Sequence, residues 1–356
     1  MLIIQIIKDI LKTIIYKEKS PKTNGKKCYI MMAADYGNLG DIAITIAQKN
    51  FIESNLSEYN VIEVPLDKVY AWANDIRKNL NSDDIITIIG GGNSGDVYDS
   101  FEKARQFIAY YYKKYKVISF PQTVDFTNTA NGKKELMIAK SIYKKTNIIF
   151  FAREEKSFEF YKNEFEYNES YLVPDIVLSM NRKENNNRNG VILCFRDDKE
   201  KNTNLNAKEE IAKILEKNKY EYIYQDTYIG NVKIDKDKDK ALNDILNAFS
   251  SKRLVITDRL HGMIFCAITG TPCIAFNNSN GKIENTYKKW LKNFQQIIFA
   301  ENYDVNIIEK IIDELYNSNC YDIKTRILEK NYSQLIRILK KWLLKGIFKW
   351  IEQMNW

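Results

Sequence analysis

Short runs of β-branched and aromatic residues alternate along most of the chain with longer stretches whose apolar positions recur at helical spacing. Cys28–Ala34, Val61–Val64, Asp84–Ile89, Lys116–Phe120 and Asn147–Phe151 read as strands. Helical stretches separate them, one ending near Asn55 and others over Phe101–Tyr115 and Lys133–Lys145. Such alternation predicts a parallel sheet covered by helices on both faces. Tyr171–Val173 closes this first set, and the polar, aperiodic stretch Asn181–Gly190 has the composition of a linker. The pattern then restarts. Val191–Phe195, Tyr220–Tyr224, Leu254–Thr257 and Cys273–Phe276 predict further strands, with helices over Ala207–Lys217, Lys240–Ser250, Leu260–Thr269 and Lys282–Asn293. The expected fold is therefore α/β, with two Rossmann-like domains at residues 26–180 and 191–300, a linker at 181–190, and terminal segments at 1–25 and 301–356. Ligands of such sheets bind beyond the carboxyl ends of the strands, so a cleft faced by both domains is the expected site.

The terminal segments predict amphipathic helices. Leu335, Ile338, Leu339, Trp342, Leu343, Ile347, Trp350, Ile351 and Met354 share one helical face, opposite Arg337, Lys340, Lys341, Lys345 and Lys349. Half of the formal net charge of +8 falls here, with these five cations against one acid, Glu352. A basic, Trp-rich helix suits the surface of an anionic membrane, which predicts peripheral attachment to the inner face of the cytoplasmic membrane. A terminal helix docked on the protein's own core carries the same pattern, and the same choice applies to Leu2–Ile15. No run is long enough to span a bilayer, and Lys8, Asp9 and Lys12 interrupt the N-terminal apolar stretch where a signal peptide would be clean. Cysteines 28, 194, 266, 273 and 320 form no C-x-x-C pair and read as buried thiols in a reducing cytoplasm. No basic stripe with interleaved aromatics marks the middle of the chain, so no nucleic-acid partner is expected.

Two glycine loops follow strands at equivalent places: Asp35-Tyr36-Gly37-Asn38-Leu39-Gly40-Asp41 and Gly90-Gly91-Gly92-Asn93-Ser94-Gly95-Asp96. Glycines there let backbone N–H groups approach a ligand closely. Neither loop has a dinucleotide fingerprint or a P-loop ending, so nicotinamide cofactors and ATP are not supported. The chain's one histidine, His261, lies in Asp258-Arg259-Leu260-His261-Gly262, where a strand enters a helix. A guanidinium and a titratable imidazole beside a helix N-terminus suit an anionic ligand. A single histidine and no cysteine cluster argue against a metal centre, so no metal and no resident cofactor are expected.

These residues resemble the polysaccharide pyruvyl transferases from about Met31 to Trp290. The resemblance rests on Gly37-Asn38-Leu39-Gly40-Asp41, the Gly90–Asp96 loop, Phe120-Pro121-Gln122-Thr123 and Ala152-Arg153-Glu154-Glu155-Lys156-Ser157. Val173-Pro174-Asp175, Asp258-Arg259-Leu260-His261-Gly262-Met263, Gly270-Thr271-Pro272-Cys273-Ile274-Ala275 and Asn280-Gly281-Lys282 complete it. It implies a GT-B-like pair of domains, and transfer of a pyruvyl group from phosphoenolpyruvate to two hydroxyls of a sugar. One departure is Tyr36, where members with this loop often carry histidine.

Phosphoenolpyruvate carries a carboxylate and a phosphate, and its pocket needs fixed cations, preferably guanidinium forks. Arg153, Arg259 and Lys282 are the expected donor-binding residues, at positions that match the family pattern. Ketal formation needs an acid first and a base afterwards, and His261 is the side chain that serves both near neutrality. Asp41, Asp96 and Asp175 are candidate bases for sugar hydroxyls, although carboxylates in such loops also cap helices. Asn38, Gly40, Gly91, Gly92, Asn93 and Gln122 are the expected acceptor or loop contacts. The expected acceptor is a lipid-linked saccharide of a bacterial cell-surface or exopolysaccharide pathway. A GT-B glycosyltransferase using a nucleotide sugar is the nearest alternative; a non-enzymatic membrane-associated scaffold is another.

Overall fold

A computed structural model describes residues 2–182, 187–197, 207–234, 237–279, 281–301, 304–318 and 325–341. In chain order the elements begin with α1 (Leu2–Ile15), β1 (Lys26–Ala33), β2 (Tyr36–Asn38), α2 (Leu39–Asn55), β3 (Tyr59–Pro65), α3 (Ala73–Asn79), β4 (Ile85–Ile88), β5 (Gly91–Ser94) and α4 (Asp99–Tyr111). Then come β6 (Lys116–Val124), α5 (Ala130–Tyr143), β7 (Ile149–Ala152), α6 (Glu155–Glu164), β8 (Ser170–Leu172), β9 (Val191–Cys194), α7 (Ala207–Lys217), β10 (Tyr222–Tyr224) and β11 (Tyr228–Lys233). The rest is α8 (Lys238–Ser250), β12 (Leu254–Thr257), α9 (Leu260–Thr269), β13 (Cys273–Phe276), α10 (Lys282–Thr286), β14 (Ile297–Ala300) and α11 (Val305–Asn317). The chain divides into two compact units. One holds Met1–Ala34, Ile44–Ile176 and the segment from Glu329; the other holds Asp35–Ala43 and Val177–Leu328.

The first unit is built on a parallel sheet in the order β3-β1-β4-β6-β7-β8, with β5 added beside β6. Its central strands are buried at every position, Ile85–Ile88 and Lys116–Val124 alike, so their apolar residues do not alternate with exposed polar ones. β1 ends in a bulge at Met32, whose φ of 65° is uncommon for a residue with a side chain. The second unit has a parallel sheet in the order β10-β9-β12-β13-β14 and a separate antiparallel pair, β11 with β2. Val191, Leu193, Leu254, Ile256, Ile274 and Phe276 from its strands pack against Ile211 and Leu215 of α7 and Ile308 and Ile312 of α11. Two Rossmann-like α/β units in one chain are thus the observed class. The polar stretch expected as a linker is bonded into the second unit where it is described: the Arg182 N–H donates to the Ile268 carbonyl (3.1 Å) and Arg188 to Thr271 (2.6 Å).

The C-terminal stripe of apolar residues divides. Over residues 333–341 the chain is helical, and Leu335, Ile338 and Leu339 are buried in the first unit. Lys116, whose ammonium burial pushes down to about 7, donates to the carbonyls of Ile338 and Leu339 and holds the helix there. Tyr332 packs 5.4 Å from the Phe51 ring, and its hydroxyl donates to the Asp175 carbonyl at 2.6 Å. Of the two readings open for this stripe, lipid surface or the protein's own core, these three positions take the core; Trp342, Leu343, Lys345, Ile347, Lys349, Trp350, Ile351 and Met354 lie outside the described residues. Cys28, Cys194, Cys266 and Cys273 are free, buried thiols, and Cys320 lies outside the described residues.

Candidate active site

In the second unit β12, fully buried, delivers Asp258 and Arg259 to the start of α9. Gly262 is required there, because a Cβ would lie 2.4 Å from the Thr257 hydroxyl. That hydroxyl donates to the Cys194 carbonyl (2.8 Å) and accepts the Arg259 N–H (2.9 Å), which fixes the turn from strand to helix. The Asp258 carboxylate accepts the Arg196 N–H at 2.8 Å, and its burial pushes it up to about 6. The Arg259 guanidinium, with 11% of its side chain exposed, donates to Asp226 at 2.5 Å.

The first glycine loop closes over this corner. β2 pairs antiparallel with β11, Tyr36 opposite Lys233 and Asn38 opposite Tyr228. Gly37 permits the pairing, since a Cβ there would lie 2.1 Å from the Gly230 carbonyl oxygen. The Leu39 N–H donates to the Thr227 carbonyl at 2.9 Å. Gly40 then lies against the imidazole: a Cβ would fall 2.2 Å from His261 Nδ1 and 2.7 Å from its Cγ. Asn38 Oδ1 accepts the N–H groups of Gly40 (3.0 Å) and Asp41 (3.4 Å), and Asp41 accepts the Tyr36 hydroxyl at 2.9 Å. The tyrosine that departs from the family pattern is thus the partner of a candidate base. The structure brings Asn38, Gly40, Asp41, Arg259 and His261 into one neighbourhood of this unit, with Tyr36 and Asp226 added. Lys282 opens α10, half-buried, after Gly281 in the left-handed conformation.

In the first unit Gly91, Asn93 and Ser94 are buried and extended, with Gly91 paired to Gln122. A Cβ on Gly95, at φ +116°, would meet the Asp125 carbonyl oxygen at 1.9 Å. Beneath the loop lies a buried ion pair, Arg105 with Glu102 at 3.0 Å. Arg105 donates to Asn93 Oδ1 at 2.6 Å and to its carbonyl at 3.2 Å; Glu102 accepts the Gly95 N–H (3.1 Å) and the Tyr143 hydroxyl (2.6 Å). Asp96 spends one oxygen on the Thr127 N–H and the other on its hydroxyl, both at 2.6 Å. Gln122 is fully buried and donates to the Ile89 carbonyl. Arg153, 1% exposed, donates to the Thr123 hydroxyl (2.9 Å) and to the buried Asp175 (2.7 Å). Arg153, expected to bind the donor, thus has its guanidinium in the interior of the first unit, paired with Asp175. Arg105, Glu102 and Asp226 were not among the expected site residues. Nothing in their sequence neighbourhoods sets them apart from ordinary helix and loop charges.

An α/β chain that presents a guanidinium and an imidazole together at a helix start has the equipment of a transferase acting on an anionic group. Its sequence matches the family described as polysaccharide pyruvyl transferase over residues 38–280, and the chain belongs to that family. It is similar to General stress protein 30 of Bacillus subtilis (strain 168), 34% identical over 315 residues, covering 87% of this chain and 90% of that protein. It is also similar to Pyruvyl transferase 1 of Schizosaccharomyces pombe, 28% identical over 284 residues, 75% and 70% of the two chains. A solved protein of Klebsiella pneumoniae shares the fold with a TM-score of 0.51 and 20% identity, covering 83% of this chain and 98% of its own. The protein is thus a transferase built on two Rossmann-like α/β units, and family membership supports pyruvyl transfer to polysaccharide.

Proposed function

We propose that this transferase moves the pyruvyl group of phosphoenolpyruvate onto two hydroxyls of one sugar and closes a ketal. The observation that carries the reading is the Arg259–His261 corner, seated on Gly40 and tied to Asp226. Arg259 and Lys282 hold the carboxylate and phosphate of the donor, because Arg153 is engaged by Thr123 and Asp175. His261 gives a proton to the enol CH₂, which becomes the methyl group, while one sugar hydroxyl attacks the adjoining carbon. Neutral imidazole then accepts that hydroxyl's proton. The second hydroxyl replaces phosphate at the same carbon, and its proton leaves with the phosphate. Asp41, held by Tyr36, is the candidate base for a sugar hydroxyl. Asp96, with both oxygens on Thr127, shapes the loop.

The acceptor we infer is a lipid-linked saccharide of a cell-surface or exopolysaccharide precursor, met at the inner face of the cytoplasmic membrane. The donor's charges are met by side-chain cations, so the reaction needs no metal; loss of activity on chelation would contradict this. The test is incubation with phosphoenolpyruvate and synthetic or lipid-linked glycans, with mass spectrometry for the pyruvyl increment. Phosphoenolpyruvate should also raise thermal stability, as any ligand of the folded state does. Protection by nucleotide sugars, with none by phosphoenolpyruvate, would favour a glycosyltransferase instead.

A further inference from the structure

The helix α1 is docked with its polar side inward. Asp9 and Thr13 are 4% and 1% exposed, while Ile7, Ile10, Leu11, Ile14 and Ile15 are 51%, 40%, 48%, 61% and 70% exposed. Specific bonds fix this orientation. Asp9 accepts from Gln5 (2.9 Å) and Lys12 (2.8 Å), and the Lys12 ammonium lies 4.3 Å over the Tyr70 ring. Asn74 donates to the Thr13 carbonyl (2.8 Å) and hydroxyl (3.1 Å), and itself accepts the Tyr111 hydroxyl at 2.6 Å. A surface helix ordinarily buries its apolar stripe. Here the stripe faces out, and contiguous apolar surface of that kind marks a contact with a partner or a lipid phase.

We propose that the outward face of α1 lies in the surface of an anionic membrane and anchors the protein there. Its apolar residues are all aliphatic and sit on a single convex helix, a form suited to the boundary between headgroups and acyl chains. The charges beside it are complementary to anionic lipid. Lys8, Lys17, Lys19 and Lys22 are exposed along and just after the helix, Asp9 is turned inward, and Glu18 is paired with Lys68 at 2.9 Å. Two copies of this face pressed together about a two-fold axis would bring the same lysines against one another, which disfavours a self-interface. The proposal goes beyond the pyruvyl-transfer reading, and lipid binding is measured without turnover.

The experiment is co-sedimentation of the full chain with vesicles of phosphatidylcholine and phosphatidylglycerol, against phosphatidylcholine alone. The protein should pellet with the anionic vesicles, and added salt should weaken the binding. The triple variant Ile7→Ser, Leu11→Ser, Ile14→Ser removes only exposed side chains, so it should keep its circular dichroism while partitioning falls by roughly tenfold or more. Ile307→Ser on α11 of the second unit, 56% exposed and no part of α1, should bind as the parent does. Three outcomes would overturn the proposal: a parent chain that stays in the supernatant, a triple variant that pellets equally well, or a parent dimer that ignores vesicles and is split by the triple variant.

Discussion

The Gly90–Asp96 loop of the first unit is held by charge, whereas the Tyr36–Asp41 loop of the second is held by close packing. Under the former, Arg105 and Glu102 take up Asn93, Gly95 and Tyr143, and Thr127 takes up both oxygens of Asp96. The latter is a short ribbon in which Gly37 and Gly40 let a backbone and an imidazole come into contact. The first loop has its charges matched internally and so serves as a frame. The second leaves an imidazole, a guanidinium and a Tyr–Asp pair only partly buried, where the proposed substrate would reach them. On the proposed reading, rigidity and chemistry are thus divided between two loops that look alike in sequence.

Breaking the frame should cost most. Replacing Arg105 by Met leaves Glu102 as a buried, uncompensated charge, a change that ordinarily costs about 3–5 kcal/mol. Denaturant unfolding checks this, and replacing both partners by apolar residues should recover much of the loss. A smaller effect is expected at Asp258, 7% exposed and pushed up to about 6 by burial. The fold prefers this carboxyl protonated. Its favourable share is present in acid and is lost as pH rises through about 6, a swing of at most about 3 kcal/mol from the ordinary carboxylate value. Asp258→Asn keeps an acceptor for the Arg196 N–H, so it should raise the melting temperature at mildly alkaline pH and leave it unchanged in acid. Equal shifts at both would contradict the burial account.

Substitutions in the second loop should act on turnover instead. Gly40→Ala puts a methyl group within 2.2 Å of His261 Nδ1, so the imidazole must move; turnover should fall by roughly tenfold or more at nearly unchanged stability, as expected for displacement of the proposed acid. Asp226→Asn keeps the contact with Arg259 but removes its charge. The guanidinium loses orientation, and KM for phosphoenolpyruvate should rise a few-fold, within about 1 kcal/mol. An effect of that variant confined to kcat would place Arg259 away from the donor.

Much of this was legible in the chain, and the illegible part has a common cause. β12 and α9 were read at their observed bounds, because a buried parallel strand is a continuous apolar run and Gly270 ends the helix in the left-handed conformation. Pairings between distant, short segments left no such trace. β2 with β11 joins Tyr36 to Lys233 through glycines, and so the arrival of Asp226 beside Arg259 had no local signal. Arg105 occupies a helical position that reads as a solvated cation, yet it is fully buried. For the terminal helices the periodicity revealed an apolar face without its direction: residues 335, 338 and 339 turn into the core, whereas the stripe of α1 turns away from it.

The central claim is that His261 supplies and retrieves the proton in pyruvyl transfer. Its most direct test is a single-turnover measurement of phosphate released from phosphoenolpyruvate, with an acceptor glycan present, for the parent chain and His261→Ala. The parent should release phosphate in step with the appearance of the pyruvylated glycan. The folded variant should bind phosphoenolpyruvate, read as retained thermal protection, yet release phosphate slower by roughly a hundredfold or more. A folded variant that forms pyruvylated glycan at the parent's rate would contradict the account and leave His261 a packing partner of Gly40.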